Sequence, residues 1–252
     1  MQLDQPGARA MKVMTQQWKD LAFLHWSYEP SVVQRLLPDG VEVDTFDGRA
    51  WVALVPFRMT KLRLRWLPPI PTTTDFPEIN VRTYVRVNGR PAVWFFSLDT
   101  PKILPTVTAR AAFRLPYCFG RASVNVIDGV LESRVDRRWP SRASSFARIR
   151  VGEPIIAGEL ERFLTDRWGL IAPRYFGGLN YGPVDHEPWP LHTGEVLELD
   201  DQLVVAAGLP APQGEPHVLF SAAVSVEVGS LIRARRHPPI WLIVLRGRTN
   251  VT

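Results

Sequence analysis

Three Asx-Gly pairs, each set between runs of alternating polarity, constrain this chain most. They are Asp47-Gly48, Asn88-Gly89 and Asp128-Gly129. An Asx-Gly pair between alternating runs predicts a two-residue hairpin, because a type I′ turn needs positive φ at both central positions. Val41 to Phe46 and Arg49 to Phe57 flank the first pair, residues 78 to 87 and 91 to 99 the second, and Arg121 to Ile127 and Val130 to Arg138 the third. Further strands are expected over Lys61 to Trp66, Ser144 to Val151, Glu195 to Leu199 and Phe220 to Val228. Helices are few: Glu29-Pro30 opens one that runs to about Leu37, Pro105 to Phe113 forms two turns, and Gly158 to Trp168 is amphipathic. Tyr175 to Leu191 reads as loop. The expected fold is therefore α+β but mainly β, an antiparallel sheet that closes into a barrel or cone and carries a few short helices.

The central hairpin carries the chemistry. A two-residue loop fixes register, which places Val81 opposite Phe96 and Ile79 opposite Leu98 on an apolar face. The other face then pairs Arg82 with Phe95, Asn80 with Ser97 and Glu78 with Asp99. An open, solvated sheet face would carry the same charges. Tyr84 and Phe95 on that face favour a lined cavity instead. Glu78 opposite Asp99 is a like-charge pair, which destabilises a sheet unless a cation or a shared proton intervenes. The third hairpin faces Arg121 with Asp136, Ser123 with Arg134 and Asn125 with Glu132, matched charges that suit a solvated wall.

Composition narrows the function. The chain has 252 residues and a formal charge of +5, but arginine supplies most of the positive charge, with Lys12, Lys19, Lys61 and Lys102 the only lysines. The basic residues are scattered except for Arg233, Arg235, Arg236 and His237, and no nucleic-acid-binding module is recognisable, so no nucleic-acid partner is expected. Cys118, the one cysteine, excludes an internal disulfide and reads as a packing residue. The five histidines, His25, His186, His192, His217 and His237, form no compact metal pair, and neither a metal nor a cofactor is expected. Phosphate-loop, dinucleotide, zinc-protease and nucleophile-elbow motifs are absent. With no signal-like start and no apolar run long enough to span a bilayer, a cytoplasmic protein without a membrane partner is expected. The domain reading is a tail over 1–17, one domain over 18–228 and a basic tail over 229–252.

The segments LAFLHW (21–26), LLPDGVEVDTFDGRAWVALVPF (36–57), FPEINVRTYV (76–85), VWFFSLD (93–99), ARAAFRLPY (109–117), LERFLTDRW (160–168) and HEPWPL (186–191) resemble the YqjF-like family of uncharacterised bacterial proteins. That family is similar in fold to acetoacetate decarboxylase, whose G-R-E-x-x-x-[FY]-P-K-K motif supplies a Schiff-base lysine and a second lysine that lowers its pKa. Ala109 to Cys118 keeps the motif's arginine and proline as Arg110 and Pro116 but holds Tyr117 and Cys118 at the two lysine positions. Phe76-Pro77-Glu78 matches the strand that carries the decarboxylase's pocket glutamate. The resemblance thus implies a retained pocket without the amine that Schiff-base chemistry requires, and hence not a lysine-type decarboxylase.

Glu78 and Tyr117 are the candidate catalytic residues. Arg82, Asn80, Ser97, Asp99, Arg110, Phe95 and His25 are the candidate ligand-binding residues. Three functions stay open at this point. The first is a binding protein for a small carboxylate or keto acid. The second is a lyase, hydratase or isomerase that acts on a keto acid through Glu78 with Arg110. The third is an assembly protein with an incidental pocket. Related barrels form oligomers, which implies a homo-oligomer.

Overall fold

The computed structural model describes residues 11–66, 74–102 and 114–234. The helix expected over Pro105 to Phe113, with Arg110, lies outside the described residues, as does most of the basic C-terminal segment. All three Asx-Gly pairs are hairpin turns with positive φ at both positions: Asp47 49° and Gly48 71°, Asn88 53° and Gly89 78°, Asp128 49° and Gly129 74°. This is the geometry for which the two residue types were read.

One 14-stranded sheet contains every described strand. In chain order these are β1 (Lys12–Tyr28), β2 (Glu42–Val43), β3 (Thr45–Phe46), β4 (Arg49–Leu64), β5 (Phe76–Val87), β6 (Arg90–Thr100) and β7 (Tyr117–Ile127), followed by β8 (Val130–Trp139), β9 (Ala143–Pro154), β10 (Gly169–Pro173), β11 (Leu179–His186), β12 (His192–Asp201), β13 (His217–Gly229) and β14 (Ile232–Arg233). The helices are α1 (Pro30–Gln34), α2 (Glu159–Thr165) and α3 (Leu203–Ala206). Because β5 pairs with β6, the order β6-β7-β8-β9-β12-β13-β1-β4-β5 closes into a nine-stranded barrel. The expected mainly β, closed architecture is the one observed. All its neighbouring pairs are antiparallel except β6 with β7.

β11 pairs with β13 as well as with β10, and β10 with β6. A second circuit, β6-β10-β11-β13-β1-β4-β5, therefore shares the wall β13-β1-β4-β5-β6 with the barrel. That wall buries both faces. On the barrel side Ala22, Leu24, Val52, Leu54, Ile79 and Val81 pack with Val124, Leu131 and Ile149 from the opposite strands. On the other side Leu21, Phe23, Ala53, Val55 and Phe57 pack with Val184 and Trp189. Near-continuous apolar runs such as Leu21 to Leu24 and Val52 to Val55 follow from this, since a strand covered on both faces cannot alternate. Burying a Leu or Phe side chain contributes roughly 1.5–3 kcal/mol, so the shared wall is the main source of stability.

Three differences from the sequence reading have physical reasons. β1 begins at Lys12, inside the stretch read as a tail. Its first residues carry little apolar signal but are hydrogen-bonded to β13 on one side and β4 on the other. The stretch after Tyr175 contains β11, whose Gly182 and Pro183 disguise a strand held by β10 and β13. Ile232 and Arg233 pair with β11, so the ladder reaches past Val228. Among the described residues no helix is long and apolar enough to cross a membrane.

Candidate functional site

The register of β5 with β6 decides which polar residues meet. From Val87–Arg90 to Arg82–Phe95 it follows the two-residue loop. It then shifts by one residue: Val81 pairs with Ser97, Asn80 with Leu98 and Ile79 with Asp99. The extra residue is Phe96, which packs against the barrel core. A bulge inserts one unpaired residue and moves everything beyond it to the opposite face. The expected pairs Val81–Phe96, Ile79–Leu98, Asn80–Ser97 and Glu78–Asp99 are therefore not formed. Three successive aromatics, Trp94 to Phe96, conceal the break because none marks a side.

Ser97 and Asp99 consequently point into the barrel, where they meet Arg137 of β8. Arg137 Nε donates to Asp99 Oδ1 at 2.6 Å and Nη2 to Asp99 Oδ2 at 2.7 Å, and Nη2 also donates to Ser97 Oγ at 2.9 Å. Asp99 is completely buried. This bidentate pair satisfies its own charges. The carboxylate pair expected between Glu78 and Asp99 is thereby corrected, and Ser97 and Asp99 do not join the other candidates.

Glu78, Asn80 and Arg82 stand on the other side of the wall, opposite Phe57, Val55 and Ala53 of β4. Tyr117 pairs with Leu98, which faces Asn80, so its ring reaches the same side. The Tyr117 hydroxyl donates to Glu78 Oε2 at 3.1 Å. Glu78 is 2% exposed. Burial pushes its carboxyl up to about 8; hydrogen bonds from Tyr117 and Asn80 pull the other way without cancelling it, and the Asp99 charge pushes it further up. Burial also holds the Tyr117 phenol well above its ordinary value, and Glu78 adds to that. At neutral pH the pair is thus mostly a carboxylic acid beside a phenol.

Arg82 is 8% exposed. Its guanidinium carbon sits 5.1 Å from the Phe23 ring centre and 5.8 Å from that of Tyr84. Its Nε is buried without a hydrogen bond, the guanidinium donates a hydrogen bond to the Tyr84 hydroxyl, and none of the described carboxylates pairs with it. His25 belongs to the same cluster. Its Nε2 lies 2.7 Å from the Tyr84 hydroxyl, and its ring stacks on Phe23 at 5.8 Å. Burial, the Arg82 charge and His217 hold the His25 pKa well below its ordinary value, so the imidazole is neutral. Phe95, opposite Arg82, packs with Tyr84, Val93 and Leu164. Leu164 is on α2, and His217 Nε2 lies 3.2 Å from Glu161 of the same helix, so α2 closes this end. Among the described residues, buried polar atoms without hydrogen-bond partners on this side of the wall include Asn80 Oδ1, Arg82 Nε and Ser221 Oγ, the last from opposite Leu21. Natural interiors leave few such atoms.

Comparison with known proteins places the chain. A model of an uncharacterized conserved protein family, DUF2071, matches residues 15–225. The chain belongs to that family. It is 34% identical over 207 residues to the uncharacterized protein YqjF of Bacillus subtilis (strain 168), covering 81% of this chain and 85% of the relative. In fold this DUF2071 protein is similar to the enduracididine biosynthesis enzyme MppR complexed with pyruvate, with a TM-score of 0.63, 13% identity and coverage of 92% of this chain and 94% of that one. It is also similar to acetoacetate decarboxylase from Legionella pneumophila subsp. pneumophila str. Philadelphia 1, with a TM-score of 0.61, 16% identity and coverage of 91% and 93%. The YqjF-like membership and the decarboxylase-like fold both agree with the sequence reading.

Of the candidates, the geometry of this DUF2071 protein brings together Glu78, Tyr117, Asn80, Arg82, Phe95 and His25. Arg110 lies outside the described residues. Sequence reasoning missed Arg137, although its signal was present: Leu131, Ser133, Val135 and Arg137 share one phase of β8, so an arginine sits on the buried face. It also missed His217, which nothing in the local pattern of β13 distinguishes.

Proposed function

We propose that this DUF2071 protein binds a small carboxylate of the keto-acid class at Arg82, on the side of the wall that carries Glu78, without a covalent amine intermediate. The observation that carries this reading is Arg82, a buried guanidinium with no carboxylate partner among the described residues. A charge removed from water and left unpaired is costly, and a ligand carboxylate would relieve that cost through two parallel hydrogen bonds. Phe23 and Phe95 supply apolar surface beside it. Glu78 and Tyr117 lie roughly 13 Å further along β5 at about 3.3 Å per residue, beyond a three-carbon acid held at Arg82, and would meet the far end of a longer keto acid as hydrogen-bond donors. The pyruvate complex of the structurally similar MppR agrees with a keto acid as the ligand class. Tyr117 and Cys118 stand where the decarboxylase motif places its lysines, which speaks against a Schiff base at that position.

Calorimetric titration with pyruvate tests the reading. Wild type is expected to bind, and Arg82→Met to bind about tenfold or more weakly while melting cooperatively. Equal affinity in the two proteins would refute it.

A second reading, acid-base catalysis, is favoured by the Glu78 carboxyl at about 8 with the Tyr117 hydroxyl 3.1 Å away. Such a group is placed to protonate an enolate or a leaving hydroxyl near neutral pH. Turnover of a keto acid that is lost in Glu78→Gln, with pyruvate affinity retained, would establish it. Turnover unchanged in that variant would exclude it.

A further inference from the structure

A second polar region lies away from this site, at the β8–β9 end of the nine-stranded barrel. There the surface sinks into a hollow of about 510 Å³, lined by Asp136, Arg137, Arg138, Arg142, Ser144 and Gln202, with Ala143 at its wall. That volume is within the range of small-molecule sites. From this hollow we infer a second binding site, which takes a small organic oxyanion bearing phosphate or carboxylate groups, independent of the Arg82 pocket.

The lining is rich in hydrogen-bond donors, and one donor is immobilised. Arg137 is held by Asp99 and Ser97 through Nε and Nη2, while its Nη1 makes no hydrogen bond with any described residue. Its fork is thus fixed before any ligand arrives, which lowers the ordering cost of binding. Arg138 and Arg142 flank the turn between β8 and β9; both are exposed, and neither forms an ion pair with a described residue. Gln202 is fixed as well: its Oε1 accepts from the Ser144 backbone N–H and from the Ser144 hydroxyl, both at 3.2 Å. Its side-chain amide N–H groups are left to donate.

Asp136 is the one acid in the lining. Asp99 neutralises Arg137, so Arg138 and Arg142 against Asp136 leave one net positive charge. Two guanidinium groups with free forks around a concave surface match an oxyanion, which each can meet bidentately. Scattered surface arginines lack both the concavity and the anchored third member. Arg148 and Arg150, which face glutamates across β9 and β12, are the natural contrast.

Calorimetry on the full chain with inorganic pyrophosphate and, separately, citrate at constant ionic strength decides the matter. Saturable binding of at least one of them is expected, weakened about tenfold or more in the Arg138→Ala/Arg142→Ala double variant and unchanged in Arg82→Met and in Arg148→Ala/Arg150→Ala. Both arginines of the first pair are exposed, so that variant is expected to fold. Pyrophosphate alone binding would assign a phosphate ligand, and citrate alone a polycarboxylate. No saturable binding of either, or an equal loss in the two arginine-pair variants, would overturn the site. Because Arg82→Met is carried alongside, failure here is distinguishable from failure of the pyruvate reading.

Discussion

Two buried arginines lie on opposite sides of one wall. Arg137 faces the barrel and spends its charge on Asp99 and Ser97. Arg82, on the far side, has aromatic rings against it and no carboxylate among the described residues. Their carboxylates differ in the same way. Asp99 is fully committed to a cation, whereas Glu78 is hydrogen-bonded, among the described residues, by the neutral Tyr117 and Asn80 and is driven toward its protonated form. A charge satisfied by the protein stabilises a fold; a charge the protein leaves unsatisfied is available to a ligand. One inserted residue, Phe96, produces the contrast by sending Ser97 and Asp99 to the barrel side.

The largest effect is expected on the paired side. Arg137→Leu leaves Asp99 buried and uncompensated and should cost about 3–5 kcal/mol, read from urea unfolding. A loss below about 1 kcal/mol would mean that the pair is not structural.

Next comes the pH dependence of Glu78. Its folded value of about 8 exceeds the unfolded 4.5, so between these limits the folded state holds a proton that the unfolded state has released. Stability from this group is therefore fully present below pH 4.5 and falls as pH rises to about 8, by at most about 5 kcal/mol. Glu78→Gln should flatten that decline in melting temperature. His25 acts in the opposite sense: its lowered value means that stability is lost as pH falls below its unfolded value of 6.5.

Arg82→Met should leave the unliganded protein unchanged or stabilise it by about 1 kcal/mol, since an unpaired buried charge has been replaced by an apolar chain. Destabilisation comparable to Arg137→Leu would erase the contrast between the two sides. The smallest effect on binding is expected of Ser97→Ala, which should leave pyruvate affinity unaltered while costing about 1.5 kcal/mol of stability, the low end for one hydrogen bond to a charged group.

Much of this was legible in the chain. The three Asx-Gly turns set three hairpins, and for the third the pairs Arg121–Asp136, Ser123–Arg134 and Asn125–Glu132 were readable to the residue. Alternation there is uninterrupted over the paired region. It fails at Trp94 to Phe96, where three large rings suit either face, and a one-residue bulge then changed which acids meet. The early start of β1 and the existence of β11 were hidden for another reason: both are held by backbone bonds on two sides and need little apolar signal of their own. Glu78, Asn80 and Arg82 share one side of the wall because they alternate along β5, which is unbroken where β6 carries the extra residue, and Tyr117 pairs with Leu98 in phase with them.

The most direct test is a crystal structure with pyruvate. The account predicts the ligand's carboxylate within about 3 Å of the Arg82 guanidinium nitrogens, on the side of the wall that carries Glu78. Pyruvate found only elsewhere, or Arg82 found paired with a carboxylate of the protein itself, would contradict it.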